Sequence, residues 1–370
     1  MAFSKSKLRV LLIQQEFNYW WTGCKWGYYN HLGVEEGLWA NNVELFTLTT
    51  HWLPWAQEIC AKKKFDQVWI NDLVHLDVEE NFMQWVSDLA PVRLGFSIES
   101  FEYTADDYVL FPGLKNRQAG IEMRLKYVTH LVAYDEKDAA SLNRRGNLSA
   151  IWSPQAVPKR YFTKFKRWDP EKPVVFRGTL YGERRKWLEH PVLKTMLTHT
   201  PSPDKGTWYP FFYNSLSIAM RHGYNNFRLP AKIALPIYLS LLRYVRRSSF
   251  RRWLREARNY CAIVNLPSLF KGYAGHVAEG MVAGRPVISW RIPERPRTAA
   301  VFAEDKEILL FDRNDADQLV RQIKRVKTEP GLAQRLIYNS QEKMLRLHTM
   351  EKRVGQILDW IESAKEPVYE

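Results

Sequence analysis

Short apolar runs alternate with segments of helical period through the first half of the chain. Arg9-Val10-Leu11-Leu12-Ile13 reads as a buried strand, and Tyr28 to Ala40 carries Leu32, Val34, Leu38 and Trp39 at helical spacing. Further strands are predicted at 43–48, 67–70, 92–96 and 130–134, with helices at 80–89 and 135–143 between them. Strands this short and this apolar suit a parallel sheet covered on both faces.

The stretch 153–173 breaks the rhythm with four prolines, which disfavour regular structure. A second series then begins. Strands are expected at 173–176, 261–266, 286–290 and 308–311, helices at 183–193 and 275–283, and a helical tail over 315–364. The pattern predicts an α/β protein with two doubly wound, Rossmann-like domains facing a cleft. Such sheets take ligands at the carboxyl ends of their strands. The expected division is 1–165, 166–345 and a C-terminal helix over 346–370 that packs back on the first domain.

Composition adds three constraints. The 370 residues hold 46% apolar side chains and 25% charged ones, which excludes a disordered chain. Cys24, Cys60 and Cys261 lie far apart, with no CxxC pair, so a reducing, cytoplasmic setting is expected. The N-terminal apolar run is too short for a signal peptide, and no run of 18 apolar residues is present to span a membrane. The net charge of +14 is uneven. Residues 1–165 carry a net of −1, the remainder +15, and residues 203–258 alone +9. A basic face of that density meets phosphate in some form.

Candidate chemistry concentrates in Lys271 to Ile288, KGYAGHVAEGMVAGRPVI. Gly272 and Gly275 let the backbone approach a ligand, and a helix start there offers free N–H groups to a diphosphate. Glu279, one turn on, suits a ribose diol. The spacing alone is equally that of a plain loop, helix and strand. Earlier, Arg177-Gly178-Thr179-Leu180-Tyr181-Gly182-Glu183-Arg184-Arg185 offers a glycine and several guanidinium groups after a strand. No His, Cys or Asp cluster has metal-ligand spacing.

The 271–288 segment resembles the donor-binding signature of GT-B glycosyltransferases of the group 1 (GT4-like) superfamily. Glu279 falls on the second glutamate of that pattern and Lys271 on the first. The departure at Lys271 is similar to a divergent, CgeB-like branch. The stretch 175–185 resembles the loop opening the second domain, and 156–162 the interdomain linker. The resemblance implies a transferase that moves a sugar from a nucleoside-diphosphate sugar to an acceptor hydroxyl, without a metal cofactor. It implies that Glu279 holds ribose and that Gly178, Arg177, Arg184, Gly275 and His276 meet the diphosphate. Lys271 then stands where the family's glutamate faces the sugar. Gly23 and Gly27 would line the cleft in the loop after the first strand.

A base for the acceptor hydroxyl should lie at a strand end of the first domain, where Glu99 is the candidate and Glu102 and Asp106 its rivals. The apolar run 229–242, followed by Arg243, Arg246, Arg247, Arg251, Arg252, Arg255 and Arg258, suits an anionic membrane on the inner face, or a lipid-linked or otherwise anionic glycan acceptor. It equally suits a nucleic-acid backbone, as in a phage-type DNA glucosyltransferase, or a non-catalytic docking protein on the same scaffold.

Overall fold

The computed structural model describes residues 7–14, 29–111, 113–162, 168–178, 180, 182–200, 219 and 230–369. The first domain is built on β1 (Arg9–Gln14), β2 (Glu44–Thr49), β3 (Gln67–Asn71), β4 (Val92–Ser97), β5 (His130–Ala133) and β6 (Ser149–Trp152). They form one sheet in the order β2-β1-β3-β4-β5-β6, and every pair is parallel. Residues 10–14 and all of β3 are buried, as expected for strands covered on both faces. The crossovers include α1 (Tyr29–Ala40), α2 (Ala56–Cys60), α3 (Glu80–Leu89), α4 (Ala105–Leu110), α5 (Leu114–Leu125) and α6 (Glu136–Arg145).

The second sheet has the order β11-β10-β9-β7-β8, again all parallel. Its strands are β7 (Val174–Phe176), β8 (Leu197–His199), β9 (Ala262–Asn265), β10 (Val287–Trp290) and β11 (Leu309–Phe311). The helix expected over 183–193 is two short ones, α7 (Arg184–Glu189) and α8 (Leu193–Met196), parted at Pro191. Apolar periodicity missed β6 and β8, which are only four and three residues long. The 229–258 region is one 27-residue helix, α9 (Ala231–Ala257). Pro236 sits in its second turn and removes a single backbone hydrogen bond, which the buried side of the helix outweighs. Then come α10 (Gly275–Val282), α11 (Pro296–Ala300), α12 (Ala316–Thr328), α13 (Leu332–Leu347) and α14 (Met350–Ser363). The tail expected as one helical run is divided at Pro330-Gly331 and again before Thr349, whose hydroxyl caps α14.

The chain returns to its beginning through α14. The amide of Met350 donates to the carbonyl of Val157, and the amide of Val157 to the carbonyl of His348, at 3.1 Å each. The helix then lies against α1 at Gly33 and Gly37. A Cβ built on Gly37 would stand 2.4 Å from Val354 Cγ2 and 2.9 Å from the Met350 carbonyl oxygen. The two backbones approach because no side chain separates them, and Asn41 Nδ2 ties the pair by donating to the carbonyls of Gly37 and Glu351. Gly37→Val is expected to cost about 1–3 kcal/mol of stability through overpacking. A urea melt with an unchanged midpoint would show that the helices part freely.

Candidate active site

The second sheet presents three carboxyl-end segments to one place. After β7 the chain runs through Arg177 and Gly178, after β9 through Pro267 to Lys271, and α10 opens the next layer. Phe176 is the floor. Its ring stacks on His199 at 5.6 Å, meets His276 edge-on at 6.1 Å and lies 5.2 Å below the Arg184 guanidinium. A Cβ on Gly178 would come within 2.8 Å of that ring. Glycine is therefore required there by packing, whatever else it admits. The Gly178 carbonyl lies 3.0 Å from His199 Nε2.

Glu279 is buried on α10 and accepts a hydrogen bond from Trp253 Nε1 at 2.5 Å. The Trp253 ring lies 3.5 Å from the Arg177 guanidinium, whose Nη1 donates to the Trp253 carbonyl at 2.7 Å. Burial pushes Glu279 up to about 7, against the Trp253 hydrogen bond and the Arg177 charge. Arg177 also pairs with Glu256 at 3.3 Å, and its Nε has no hydrogen-bond partner. Arg184 is buried and donates from Nε to the Pro267 carbonyl at 3.1 Å.

His276, expected to meet phosphate, has its Nε2 2.7 Å from Asn265 Oδ1, and Asn265 in turn donates to Ser289. Burial, then the charges of Arg184 and Arg177, push its pKa down to about 3, so the ring is neutral at physiological pH. It therefore brings no positive charge to a diphosphate. Gly275 is the first residue of α10.

Lys271 turns toward the first domain. Its amide donates to Ser100 Oγ at 2.9 Å, and its Nζ lies 3.4 Å from Asp107 Oδ1, both groups buried. Between α4 and this loop lies a small cleft lined by Asp107, Phe111, Glu183, Ser268 and Arg313 among others. Glu99 stands one residue before Ser100, the serine that accepts the Lys271 amide. Its carboxylate pairs with Arg117 and lies 3.7 Å from His75 Nε2. The two domains also join through Arg295, whose Nε and Nη2 donate to Asp135 at 2.6 and 2.9 Å. Glu136 adds to the join by accepting from the amide and hydroxyl of Thr298.

Gly23 and Gly27 lie outside the described residues, as does the Asp106 side chain. The basic helix differs from its reading as an outward face. Ala234, Leu235, Tyr238, Leu239, Leu242 and Val245 are buried in the core, so the apolar run packs inward. Arg243 pairs with Glu35 at 2.6 Å and Arg247 with Glu36 at 3.1 Å, while Arg246 donates to Gln14. These three arginines join α9 to the first domain, because Glu35 and Glu36 on α1 are buried and require partners. Ile233, Ile237 and Tyr244 remain exposed, as do Arg251, Arg252 and Arg255. Trp253 and Phe176 were not among the predicted site residues, yet they lie between them. An arginine adjacent to an aromatic, as at Phe176-Arg177 and Arg252-Trp253, was the available signal.

Residues 211–359 match a family model described as glycosyl transferase-like. Among solved structures, Anabaena HepE in complex with UDP and glucose superposes with a TM-score of 0.55 at 9% identity, over 96% of this chain and 100% of that one. The α,α-trehalose 6-phosphate synthase of Burkholderia multivorans gives 0.54 at 11% identity, over 97% of both chains. A glycosyltransferase of Rickettsia africae gives 0.51 at 11% identity, over 97% of this chain and 100% of that one. No curated protein sequence matches the chain. At such identities the structural likeness is one of fold, and that fold is GT-B. The family match thus lies within the second half of the chain, and the fold is the one these glycosyltransferase structures share.

Folding raises Glu279 above its unfolded value near 4.5 to about 7. The folded chain thus keeps a proton that the unfolded chain releases. Stability from this group is full below pH 4.5 and declines as pH rises through 7. Glu279→Gln is expected to flatten that decline, by an amount on the order of a few kcal/mol. Urea melts of both proteins at pH 5 and pH 8 measure it, and identical slopes would contradict the raised pKa.

Proposed function

We propose that the chain transfers a sugar from a nucleoside-diphosphate sugar to an acceptor hydroxyl in the cleft between its two sheets. The observation that carries this reading is Glu279, a buried carboxylate on α10 beside Trp253 and Arg177, at the carboxyl edge of the second sheet. An ionised carboxylate there accepts both hydroxyls of a ribose, and Trp253 offers an aromatic edge close by. HepE structures with UDP and with UDP-glucose support a uridine nucleotide as the first donor to try. Gly178, Gly275, Arg177 and Arg184 surround the position for the diphosphate. Arginine suits that task because its planar fork binds phosphate oxygens in pairs. This reading gives the diphosphate charge to arginines and backbone amides. Lys271, in place of a carboxylate and turned to Asp107, supports the divergent CgeB-like branch.

Binding is expected as a thermal shift with at least one of UDP-, GDP- or dTDP-sugar. Glu279→Ala should weaken it about 10–100-fold, the worth of hydrogen bonds to a charged group. Absence of a shift with every nucleotide would refute the donor reading.

The acceptor in this proposal is a glycan that is anionic or lipid-linked, met at the inner membrane surface. Among the described residues no helix is long and apolar enough to cross a membrane. The support is the exposed Ile233, Ile237 and Tyr244 on α9, with Arg251, Arg252 and Arg255 beyond them. Pelleting with vesicles rich in anionic lipid is expected, and it should fall when Arg251, Arg252 and Arg255 are changed together to Glu. Equal pelleting of the triple variant would remove the membrane, and binding of duplex DNA in its place would favour the phage-type reading.

A further inference from the structure

A buried lysine stands where the two domains meet, and its charge is only partly compensated. Lys271 is 7% exposed and lies in the loop between β9 and α10. Among the described residues its Nζ has one hydrogen-bond partner, Asp107 Oδ1 at 3.4 Å. A charge-assisted bond of this kind ordinarily spans about 2.7–2.9 Å. The Asp107 carboxylate is itself shared, because its Oδ2 accepts the amide of Thr104 at 2.9 Å. Burial pushes the Lys271 pKa down, Asp107 restores it only in part, and the charges of Arg313 and Arg295 push it down again. An ammonium carries three N–H donors and no lone pair, so it has room for a further acceptor.

Asp107 also forms one wall of the cleft between α4 and the second domain. The other walls include Gly182 and Glu183 before α7, Pro267 and Ser268 after β9, and Arg313 after β11. This cleft adjoins the position proposed for the diphosphate, since Arg184 follows Glu183 in the chain and donates to the Pro267 carbonyl. A sugar carried on that diphosphate and directed at the first domain enters here. Arg313 gives Nε and Nη2 to Glu183 at 3.2 and 2.8 Å, and its Nη1 has no hydrogen-bond partner among the described residues. The cleft thus has a guanidinium edge on one wall and an ammonium beside Asp107, and both groups can only donate.

We propose that Lys271 and Arg313 select a nucleoside-diphosphate hexuronate, a substrate whose transferred sugar carries a carboxylate. The inference rests on the transferase reading above and names the class of sugar. The hexuronate carboxylate accepts from Arg313 Nη1 and from Lys271 Nζ, while Asp107 accepts hydroxyls of the same sugar. A neutral hexose has a hydroxymethyl group at that carbon. Its single uncharged oxygen is a poorer acceptor than a carboxylate, which is ionised and has about four lone-pair sites. The two cations are assigned to the sugar because Arg177 and Arg184 already flank the diphosphate position. Lys271, by contrast, is held on the first-domain side of the cleft by Asp107.

The test measures, by titration calorimetry on the full chain, affinity for UDP and for two matched pairs, UDP-glucose with UDP-glucuronate and UDP-galactose with UDP-galacturonate. Hexose and hexuronate conjugates of GDP or dTDP replace them where that nucleotide is the one bound. Wild type is expected to bind a hexuronate conjugate about 10-fold or more tightly than its neutral counterpart, the worth of a hydrogen bond to a charged group. Lys271→Met should bring that pair within about threefold of each other and leave the affinity for the free nucleoside diphosphate unchanged, with thermal melts confirming folding. Should Lys271→Met fail to fold, because it leaves buried Asp107 without its cation, Arg313→Gln is expected to reduce the same preference. A wild type that binds a nucleoside diphosphate but prefers no hexuronate overturns the sugar assignment alone. A loss of free nucleoside-diphosphate affinity in Lys271→Met as large as the loss of hexuronate affinity puts the ammonium on the diphosphate and overturns it as well. A wild type that binds no nucleoside diphosphate overturns the transferase reading and the sugar assignment with it.

Discussion

The two sheets depend on one buried contact, the Arg295 guanidinium held in a fork on Asp135. Asp135 sits just after β5 and Arg295 shortly after β10, so the pair joins the carboxyl edges of both sheets. Both groups are buried, and a lone charge at either position would cost several kcal/mol. Ser100 donates to the same aspartate and also accepts the Lys271 amide, so the contact extends into the loop before α10. The relative placement of Glu99 and the loop before α10 follows from this chain of three polar contacts. Each lies inside the cleft rather than on its rim.

The same logic explains much of the positive charge. A basic segment of +9 looks like a surface awaiting an anion. In the fold, Arg243, Arg246 and Arg247 cross to Glu35, Gln14 and Glu36, and Arg177 lies against Trp253 and Glu256. Glu36 has its pKa raised by burial even with Arg160 and Arg247 beside it. The guanidinium groups are thus the condition for placing carboxylates inside the domain junction. What is left exposed on α9 is a smaller set, Arg251, Arg252 and Arg255, on the same helix as three exposed apolar side chains.

Imidazoles divide by their surroundings in a way that composition conceals. His276 is enclosed near two arginines and is neutral, with Nε2 against Asn265. His75 has the Asp72 carboxylate on one nitrogen and Arg117 and Glu99 beside the other, and its pKa is raised. His276 stood out in the sequence because it follows a glycine at a helix start. His75 had no motif, since its partner Asp72 is three residues away in an irregular turn and its other neighbours lie 24 and 42 residues further on.

The alternation of short apolar runs with helical segments determined two parallel sheets; the strands it predicted differ from the observed ones by a residue or two, and only the short β6 and β8 escaped it. That follows because burial on both faces demands uninterrupted apolar side chains, a local property of the chain. The 271–288 segment likewise carried its loop, helix and strand in its glycines and spacing. Tertiary structure alone decided the rest. It turned Lys271 to Asp107 of the first domain, joined the apolar run and the arginines of α9 into one helix with its apolar side packed inward, and assembled Asp72, His75, Glu99 and Arg117 from three separate elements. Ion pairs and hydrogen bonds of this kind are set by distance in space, and the sequence interval between their partners bears no fixed relation to it.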